Sequence, residues 1–237
     1  MQPSILARTD TIIACDKPPG LATTGFDLDD PDCLQYQLME HLGEKVWALH
    51  QLDRFTSGVV LFSRRKSAVH TWQSDWHEGV DKIYVALVHG VVDQAKMTID
   101  APIRRLDDDN NFTTVAIDPT GKSAITDVAR LGTGSHYSLI LARLRTGRTH
   151  QIRVHLQHAG HPLIGEKKYN QIPCAHHDRH ALHAMAILTD HPPPLGEIVA
   201  PFADDLNAVA QRLSIPLDGL DSWRRAARAC APPDQIF

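Results

Sequence analysis

The chain has 237 residues, of which 43% are hydrophobic and 22% are charged, and its net charge is −4 with histidine neutral. It is long enough to bury a full hydrophobic core. No apolar run approaches the roughly 20 residues of a membrane-spanning helix, which excludes an integral membrane protein. The first ten residues lack a basic segment followed by an apolar core, so secretion is not expected. The negative charge argues against a uniformly cationic nucleic-acid-binding protein, although local basic clusters can bind a polyanion.

The cysteines are scattered and form no C-x-x-C pair, which argues against a disulfide scaffold or a zinc ribbon. This usage is typical of a reducing compartment, so we expect a cytoplasmic protein. The four positions are Cys15, Cys33, Cys174 and Cys230.

The first part of the chain reads as alternating short strands and helices. A strand at 11–15 is broken by the proline and glycine of 16–20. Asp30 and Pro31 predict the N-cap and first residue of a helix that ends at Gly43. Its apolar face carries leucines four residues apart, at Leu34, Leu38 and Leu42.

Further strands are predicted at 46–49, 58–62 and 83–88, with a helix over 65–78 between the last two. The spacing of Ala68, Trp72 and Trp76 indicates one buried helix face that ends at Gly79.

The middle of the chain predicts short strands separated by turn residues. Thr149 predicts the cap of a helix over 150–159, which ends at Gly160. The middle strands are placed at 97–103, 113–117, 124–130 and 137–143; a last strand follows at 183–189 and a helix at 203–213.

The elements lack a regular strand–helix–strand alternation, which favours an α+β fold. We predict one domain over residues 1–215. The weakly patterned residues 216–237 are expected to form a loosely ordered tail.

Two polar blocks carry the chemistry. His-Gln-Leu-Asp-Arg-Phe-Thr-Ser-Gly at 50–58 leads into an apolar strand and places Asp53 where a carboxylate is costly unless it is paired or used. Thr-Gly-Arg-Thr-His-Gln-Ile-Arg-Val-His at 146–155 supplies positive charge. An aspartate beside Thr-Ser-Gly is also common in turns and helix caps, so the residues alone leave both roles open.

Several ordered blocks between about residues 5 and 207 resemble the RluA-type pseudouridine synthase family. The block at 50–58 is similar to the family's H-R-L-D-x-x-T-S-G, and the block beginning at 146 to its T-G-R-x-H-Q-[IL]-R-x-H. The other matching segments are Lys-Pro-Pro-Gly-Leu at 17–21, the K-x-Y-x-A-x-V-x-G pattern at 82–90, Gly-Lys-Ser-Ala at 121–124, Gly-His-Pro-Leu-Ile-Gly at 160–165, Leu-His-Ala at 182–184 and Ala-Pro at 200–201.

The resemblance implies an RNA pseudouridine synthase with a mixed, largely antiparallel sheet and flanking helices. It makes Asp53 the catalytic nucleophile or base, Arg153 its ion-pair partner and Tyr84 the ring that holds a flipped uracil. From the residues alone, Arg153 is equally consistent with a helix surface and Tyr84 with a half-buried strand.

The resemblance also implies RNA as partner, either tRNA or rRNA, and no cofactor or metal, because isomerisation involves no redox change or group transfer. We expect a monomer. The residues expected to bind substrate are His50, Gln51, Arg54, Thr56, Lys82, Arg148, His150 and Gln151.

Three features depart from the family pattern. Gln51 replaces an arginine thought to fill the gap left by the flipped base. Gly165-Glu166 replaces Gly-Asp. No S4-like RNA-binding module precedes the first block, so RNA selection is expected to come from the catalytic domain.

Parts of the sequence are also consistent with two other functions. Gln51 is consistent with a synthase-like domain that binds RNA without modifying it. A metal-dependent hydrolase is the second alternative, because the chain has 15 histidines and a cluster at His176, His177, Asp178, His180 and His183. The spacing of this cluster fits no usual zinc-ligand pattern.

Overall fold

The computed structural model describes residues 2–75, 79–106, 113–170, 176–189 and 196–230. The chain divides into two compact units. The first unit contains Met1–Lys82 and His183–Ala203, and the second contains Ile83–Leu182 and Asp204–Phe237.

The structure contains strands and helices in irregular order, which confirms the predicted α+β class. The strands are β1 (Ser4–Arg8), β2 (Ile12–Lys17), β3 (Trp47–Ala48), β4 (Ser57–Ser63), β5 (Val80–His89), β6 (Lys96–Asp100), β7 (Ile103–Leu106), β8 (Thr114–Ile117), β9 (Ile125–Thr133), β10 (Tyr137–Leu144), β11 (Leu182–Thr189) and β12 (Gly196–Val199). The helices are α1 (Leu34–Leu42), α2 (Ala68–Asp75), α3 (Gln151–His158), α4 (Asp204–Arg212) and α5 (Trp223–Ala229). No helix of the described residues has the length and apolarity to cross a membrane.

The first unit is built around β4, whose seven residues are all buried. Its strands follow the order β1-β2-β4-β11, with β3 paired to β4 and β12 to β11. All these pairs are antiparallel except β4–β11, so the sheet is mixed. Burial on both faces explains why β4 reads as a continuous apolar run. The core combines strand residues with Trp72 of α2.

The second unit places its strands in the order β5-β10-β9-β6. The β10–β9 and β9–β6 pairs are antiparallel. A separate antiparallel ribbon of β7 and β8 packs on α3 through Ile103, Val115 and Val154. This ribbon corrects the predicted strand over 97–103, which is interrupted at Ala101-Pro102 and continues in a different sheet.

The start of α1 was predicted three residues too early. Cys33 is the N-cap, and its sulfur accepts a hydrogen bond from the Tyr36 amide. The carboxylate of Asp30 instead accepts from the Asp32 amide, so it stabilises a turn ahead of the helix. The predicted end is correct, because Gly43 adopts the left-handed conformation with φ of 67°.

The cap predicted for α3 was wrong. His150, not Thr149, occupies the N-cap position, and it does so with φ of 53° and without a side-chain capping bond. Histidine tolerates the left-handed region better than most residues, but the conformation is still uncommon.

Other differences are smaller. The sequence analysis did not predict β1 or β12. Helix α2 is described over Ala68–Asp75, and the predicted end at 78, together with Trp76, lies outside the described residues.

Residues 216–230 form structure where the weak sequence pattern suggested a loose tail. A 3-10 helix at Asp218–Ser222 leads into α5, which packs on β9 and β10 of the same unit. Trp223 is only 3% exposed, and the ammonium of Lys96 donates to the carbonyl of Ala229. A seven-residue helix is too short to form alone, so its packing stabilises it.

Replacing Trp223 with alanine should therefore lower the free energy of unfolding by about 3–5 kcal/mol, because a large buried ring is lost. Urea denaturation measures the change. Arg225→Ala in the same helix is the control; Arg225 is exposed, so the expected change is about 0.5 kcal/mol or less. Equal stability of the two variants would contradict the packing of α5.

Candidate active site

Asp53 lies on a loop between β3 and β4 that is hydrogen-bonded to the strand it precedes. The Leu49 amide donates to the Leu61 carbonyl, and the Leu61 amide donates to Nε2 of His50. The Thr56 amide donates to the carbonyl of Asp53 and closes a turn. Asp53 itself is half-buried. The loop thus fixes the backbone of a residue that is only half-buried.

Lys17, at the end of β2, fixes the far side of this loop. Its side chain is fully buried, and the ammonium donates to the carbonyls of Pro18, Leu21 and Arg54 at 2.9, 2.8 and 3.0 Å. The Gly20 amide also donates to the Arg54 carbonyl. A buried ammonium must find acceptors for its three N–H groups, so it holds the Lys-Pro-Pro-Gly segment and the Asp53 loop together.

Threonines of the segment 23–24 add a second attachment. The Thr23 hydroxyl accepts from the Leu52 amide and donates to the Leu52 carbonyl, both at 3.1 Å. Next to it, the amide of Gln51 donates to the Thr24 hydroxyl at 3.1 Å. Leu52, the residue before Asp53, is therefore fixed through both its backbone N–H and its carbonyl group.

The Thr-Ser-Gly sequence after the loop has a packing reason. Gly58 has φ of 109°, and a Cβ there would lie 2.2 Å from the Ala184 carbonyl oxygen on β11. Only glycine permits this approach of the two parallel strands. One residue earlier, the Ser57 hydroxyl bonds Nδ1 of His183 at 3.0 Å.

Burial lowers the pKa of two basic side chains of the first unit. The pKa of His50 falls to about 3 because burial and the charge of Lys82 disfavour the imidazolium. Burial also lowers the pKa of Lys82 to about 8, although Asp81 opposes the change. Neutral His50 acts as a hydrogen-bond acceptor toward β4, which accounts for its place in the block.

In the second unit, Gln151 organises the start of α3. Its amide oxygen accepts from the Thr146 hydroxyl and the Arg148 amide, and its amide nitrogen donates to Ile125 and Thr126 of β9. Gln151 is 2% exposed. The side chain predicted to bind substrate thus has a structural role, and its contact with RNA stays a prediction.

Arg153, two residues further along α3, forms a buried bidentate ion pair with Glu166. Nε and Nη2 each donate to one carboxylate oxygen at 2.8 Å. The Tyr169 ring lies 5.1 Å from the guanidinium carbon, and its hydroxyl bonds Nδ1 of His150 at 2.5 Å. Burial raises the cost of a charge on Glu166, but the hydrogen bonds and charge of Arg153 outweigh it and lower its pKa.

The remaining predicted residues lie on both units. Thr56 is buried and Arg54 is exposed, both on the Asp53 loop. Tyr84 lies on β5 and is 8% exposed. Arg148 precedes α3 and donates from Nε to the Ser123 carbonyl. The catalytic roles of Asp53, Tyr84 and Arg153 stay predictions.

Four residues that contact the Asp53 loop or the Arg153 ion pair were not predicted as site residues: Lys17, Thr23, Glu166 and Tyr169. Lys17 lies in a matched block, and Glu166 was noticed only as a departure from the family pattern. Each acts through a partner distant in sequence, which periodicity and spacing do not reveal.

The histidine cluster is divided among separate partners. Nε2 of His176 bonds the Tyr137 hydroxyl at 3.0 Å, and His177 pairs with Asp205 at 3.3 Å. His183 bonds Ser57 of the first unit. Within the described ranges, no three His, Cys, Asp or Glu side chains are placed to hold a metal ion.

Comparisons with known proteins all identify the same family. A family model described as RNA pseudouridylate synthase matches residues 11–158. An uncharacterized RNA pseudouridine synthase of Bacillus subtilis is 36% identical over 169 residues, or 70% of this chain and 55% of the relative. One of Helicobacter pylori is 33% identical over 78% of this chain and 71% of the relative. The large-subunit pseudouridine synthase C of Vibrio vulnificus is 31% identical over 90% of this chain and 70% of its own.

Among solved structures, human RNA pseudouridylate synthase domain containing 1 is similar with a TM-score of 0.77 and 29% identity. The match covers 98% of this chain and 96% of the human chain. The chain spans about half to two thirds of the length of several curated relatives, with 55%, 52% and 65% in three of them.

Replacing Lys17 with methionine should lower the free energy of unfolding by about 3 kcal/mol or more, because three backbone carbonyls lose the charged donor of a buried side chain. Urea denaturation measures this. Hydrogen exchange at the Thr56 amide should also become faster, because the Asp53 loop loses an attachment. Lys66→Met, at an exposed position, is the control. Unchanged exchange at Thr56 would show that Lys17 does not fix the loop.

Proposed function

The chain belongs to the RNA pseudouridylate synthase family, and we propose that it converts uridine in structured RNA to pseudouridine. In this isomerisation the N1–C1′ bond of uridine breaks, the base rotates and a C5–C1′ bond forms. The proton on C5 leaves and N1 gains one, so atoms and charge balance. The reaction requires a positioned carboxylate and no redox cofactor.

The observation that carries the proposal is the anchored loop of Asp53. Its backbone is fixed by buried Lys17, by Thr23 and by β4, and Asp53 itself is half-buried. A nucleophile or base held by the scaffold loses little additional freedom when the substrate binds. We assign Asp53 as the residue that attacks the nucleotide or moves its proton.

Arg153 and Tyr84 complete the proposed catalytic set. A guanidinium favours the ionised form of a neighbouring carboxylate and fixes its direction, which is the role proposed for Arg153 toward Asp53. The ring of Tyr84 is proposed to hold the extruded uracil by stacking.

The substrate is proposed to be tRNA or rRNA. Among the relatives are the large-subunit enzyme of Vibrio vulnificus and a tRNA pseudouridine synthase C of Haemophilus ducreyi, 29% identical over 84% of this chain. Arg54 and Arg148 are proposed to contact phosphates, with His50, Gln51, Thr56, Lys82, His150 and Gln151 as the other substrate-binding residues. We further propose that residues 1–215, together with the segment after them that packs on β9 and β10, act as one catalytic domain in a cytoplasmic monomer.

Replacing Asp53 with asparagine should abolish isomerisation and leave the protein folded, because the amide has nearly the same shape but neither attacks nor accepts a proton. The assay is tritium release from RNA labelled at uracil C5 and taken from cells that lack this protein. The C5–C1′ bond expels the label to solvent. No metal or nucleotide is added.

The control is Asp93→Asn, at an exposed position of the second unit, which should release tritium at the unchanged rate. Appreciable release by the Asp53 variant would contradict the assignment.

Gln51→Arg tests the departure beside Asp53. Gln51 is exposed and bonds Thr24, so a longer side chain has room, and we expect tritium release from folded RNA to be kept or increased. A large decrease would show that Gln51 has its own role. If the unchanged protein binds RNA without releasing tritium and Gln51→Arg restores release, the chain functions as an RNA-binding relative.

A further inference from the structure

We propose that Glu166 is the positioning residue of the active site, and that it holds the guanidinium of Arg153 in the orientation that the reaction requires. This inference rests on the function proposed above. It is carried by the geometry around Arg153 in the second unit, where the Glu166 carboxylate binds the guanidinium and also accepts hydrogen bonds from the turn that carries Tyr169.

Glu166 fixes one edge of the guanidinium. The pair uses Nε and Nη2, both at 2.8 Å, so the plane of the group is set by two parallel hydrogen bonds. The Arg153 and Glu166 side chains are 9% and 0% exposed.

The same carboxylate shapes the turn that follows it. Oε1 of Glu166 accepts from the amides of Lys168 and Tyr169 at 2.9 and 3.3 Å. This turn places the Tyr169 ring over the guanidinium, and the Tyr169 hydroxyl bonds His150 at the start of α3. Edge and face of the guanidinium are therefore fixed by one residue, directly and through its turn.

The backbone before Glu166 lies close against a neighbouring segment. Gly165 has φ of 75°, and a Cβ there would lie 2.0 Å from the Arg179 carbonyl oxygen. The chain entering Glu166 is thus confined, and the carboxylate position follows from it.

Stability alone does not account for this arrangement. A buried ion pair often contributes no more to stability than apolar residues of the same volume, because desolvating two charges offsets their attraction. The pair instead fixes the orientation of the Arg153 guanidinium. The family pattern has aspartate at this position, so the negative charge is kept and the side chain is one methylene longer.

The test compares Glu166→Gln and Glu166→Asp with the unchanged protein. Glutamine has the same length, but its NH₂ group opposes one N–H of Arg153, so the two parallel bonds are lost. Aspartate keeps the charge. The control is Asp127→Asn, which breaks a second bidentate pair of the same unit, with Arg145 at 2.6 and 2.8 Å. The Asp127 side chain is 4% exposed, close to the burial of Glu166.

Single-turnover tritium release is measured with enzyme in excess, well below the melting temperature of each variant, and RNA binding is measured by filter retention. We expect Glu166→Gln to lower the rate constant about a hundredfold with unchanged binding, the size of effect that a misplaced group produces. Glu166→Asp should recover to within about tenfold. Asp127→Asn should lose stability and keep its rate.

NMR of the Arg153 Nε–H group, assigned with Arg153→Lys, gives a readout that does not need RNA. This proton should be protected from exchange in the unchanged protein and lose protection in Glu166→Gln. The inference is overturned if folded Glu166→Gln reacts at the unchanged rate, if the rates of all variants simply follow their stabilities, or if the Nε–H signal is unaffected. Absence of release by the unchanged protein would instead refute the proposed function, and the NMR result would still decide whether Glu166 holds Arg153.

Discussion

The ammonium of Lys17 is the interaction on which the Asp53 loop depends. A fully buried cation is costly unless all its donors are used, and the three carbonyls that receive them come from two segments distant in sequence. Because losing one of these acceptors would leave a buried charge without a partner, the ammonium constrains the position of the loop. Because Arg54 follows Asp53 directly, fixing its carbonyl limits the directions available to the carboxylate.

The second unit uses the same physical device with the charge reversed. Glu166 is buried, and its oxygens receive N–H groups from Arg153 and from its own turn. In both units a buried charged side chain is bound by hydrogen-bond partners from more than one segment, next to a residue of the family blocks. Backbone groups held in this way need little reorganisation when charge develops on a substrate, which is the physical basis of preorganised catalysis.

Local chemistry in the sequence predicted most elements, and long-range chemistry accounts for the rest. The leucine spacing of α1 and the apolar run of β4 were sufficient because each element contains its own pattern. The start of α1 was misplaced because Asp30 stabilises a turn as readily as a helix end. Helix α5 was missed because its stability comes from packing Trp223 on β9 and β10, which no local pattern contains.

The site itself divides along the same line. Asp53, Arg153 and Tyr84 were predicted because their blocks match a family. Lys17 and Tyr169 were not predicted, because their contacts depend on partners up to 37 residues away, as in the bond from Lys17 to Arg54.

The two departures from the family pattern differ in physical consequence. At 166 the carboxylate is kept, and the structure pairs it with Arg153, so the change alters reach but not charge. At 51 a cation is replaced by a neutral amide that bonds Thr24, which removes positive charge from the surface beside Asp53. The first change preserves the electrostatics of the proposed catalytic arginine, whereas the second alters the surface that RNA would meet. Any distinct substrate preference of this chain is therefore expected to originate in the loop before Asp53 rather than in the cluster around Arg153.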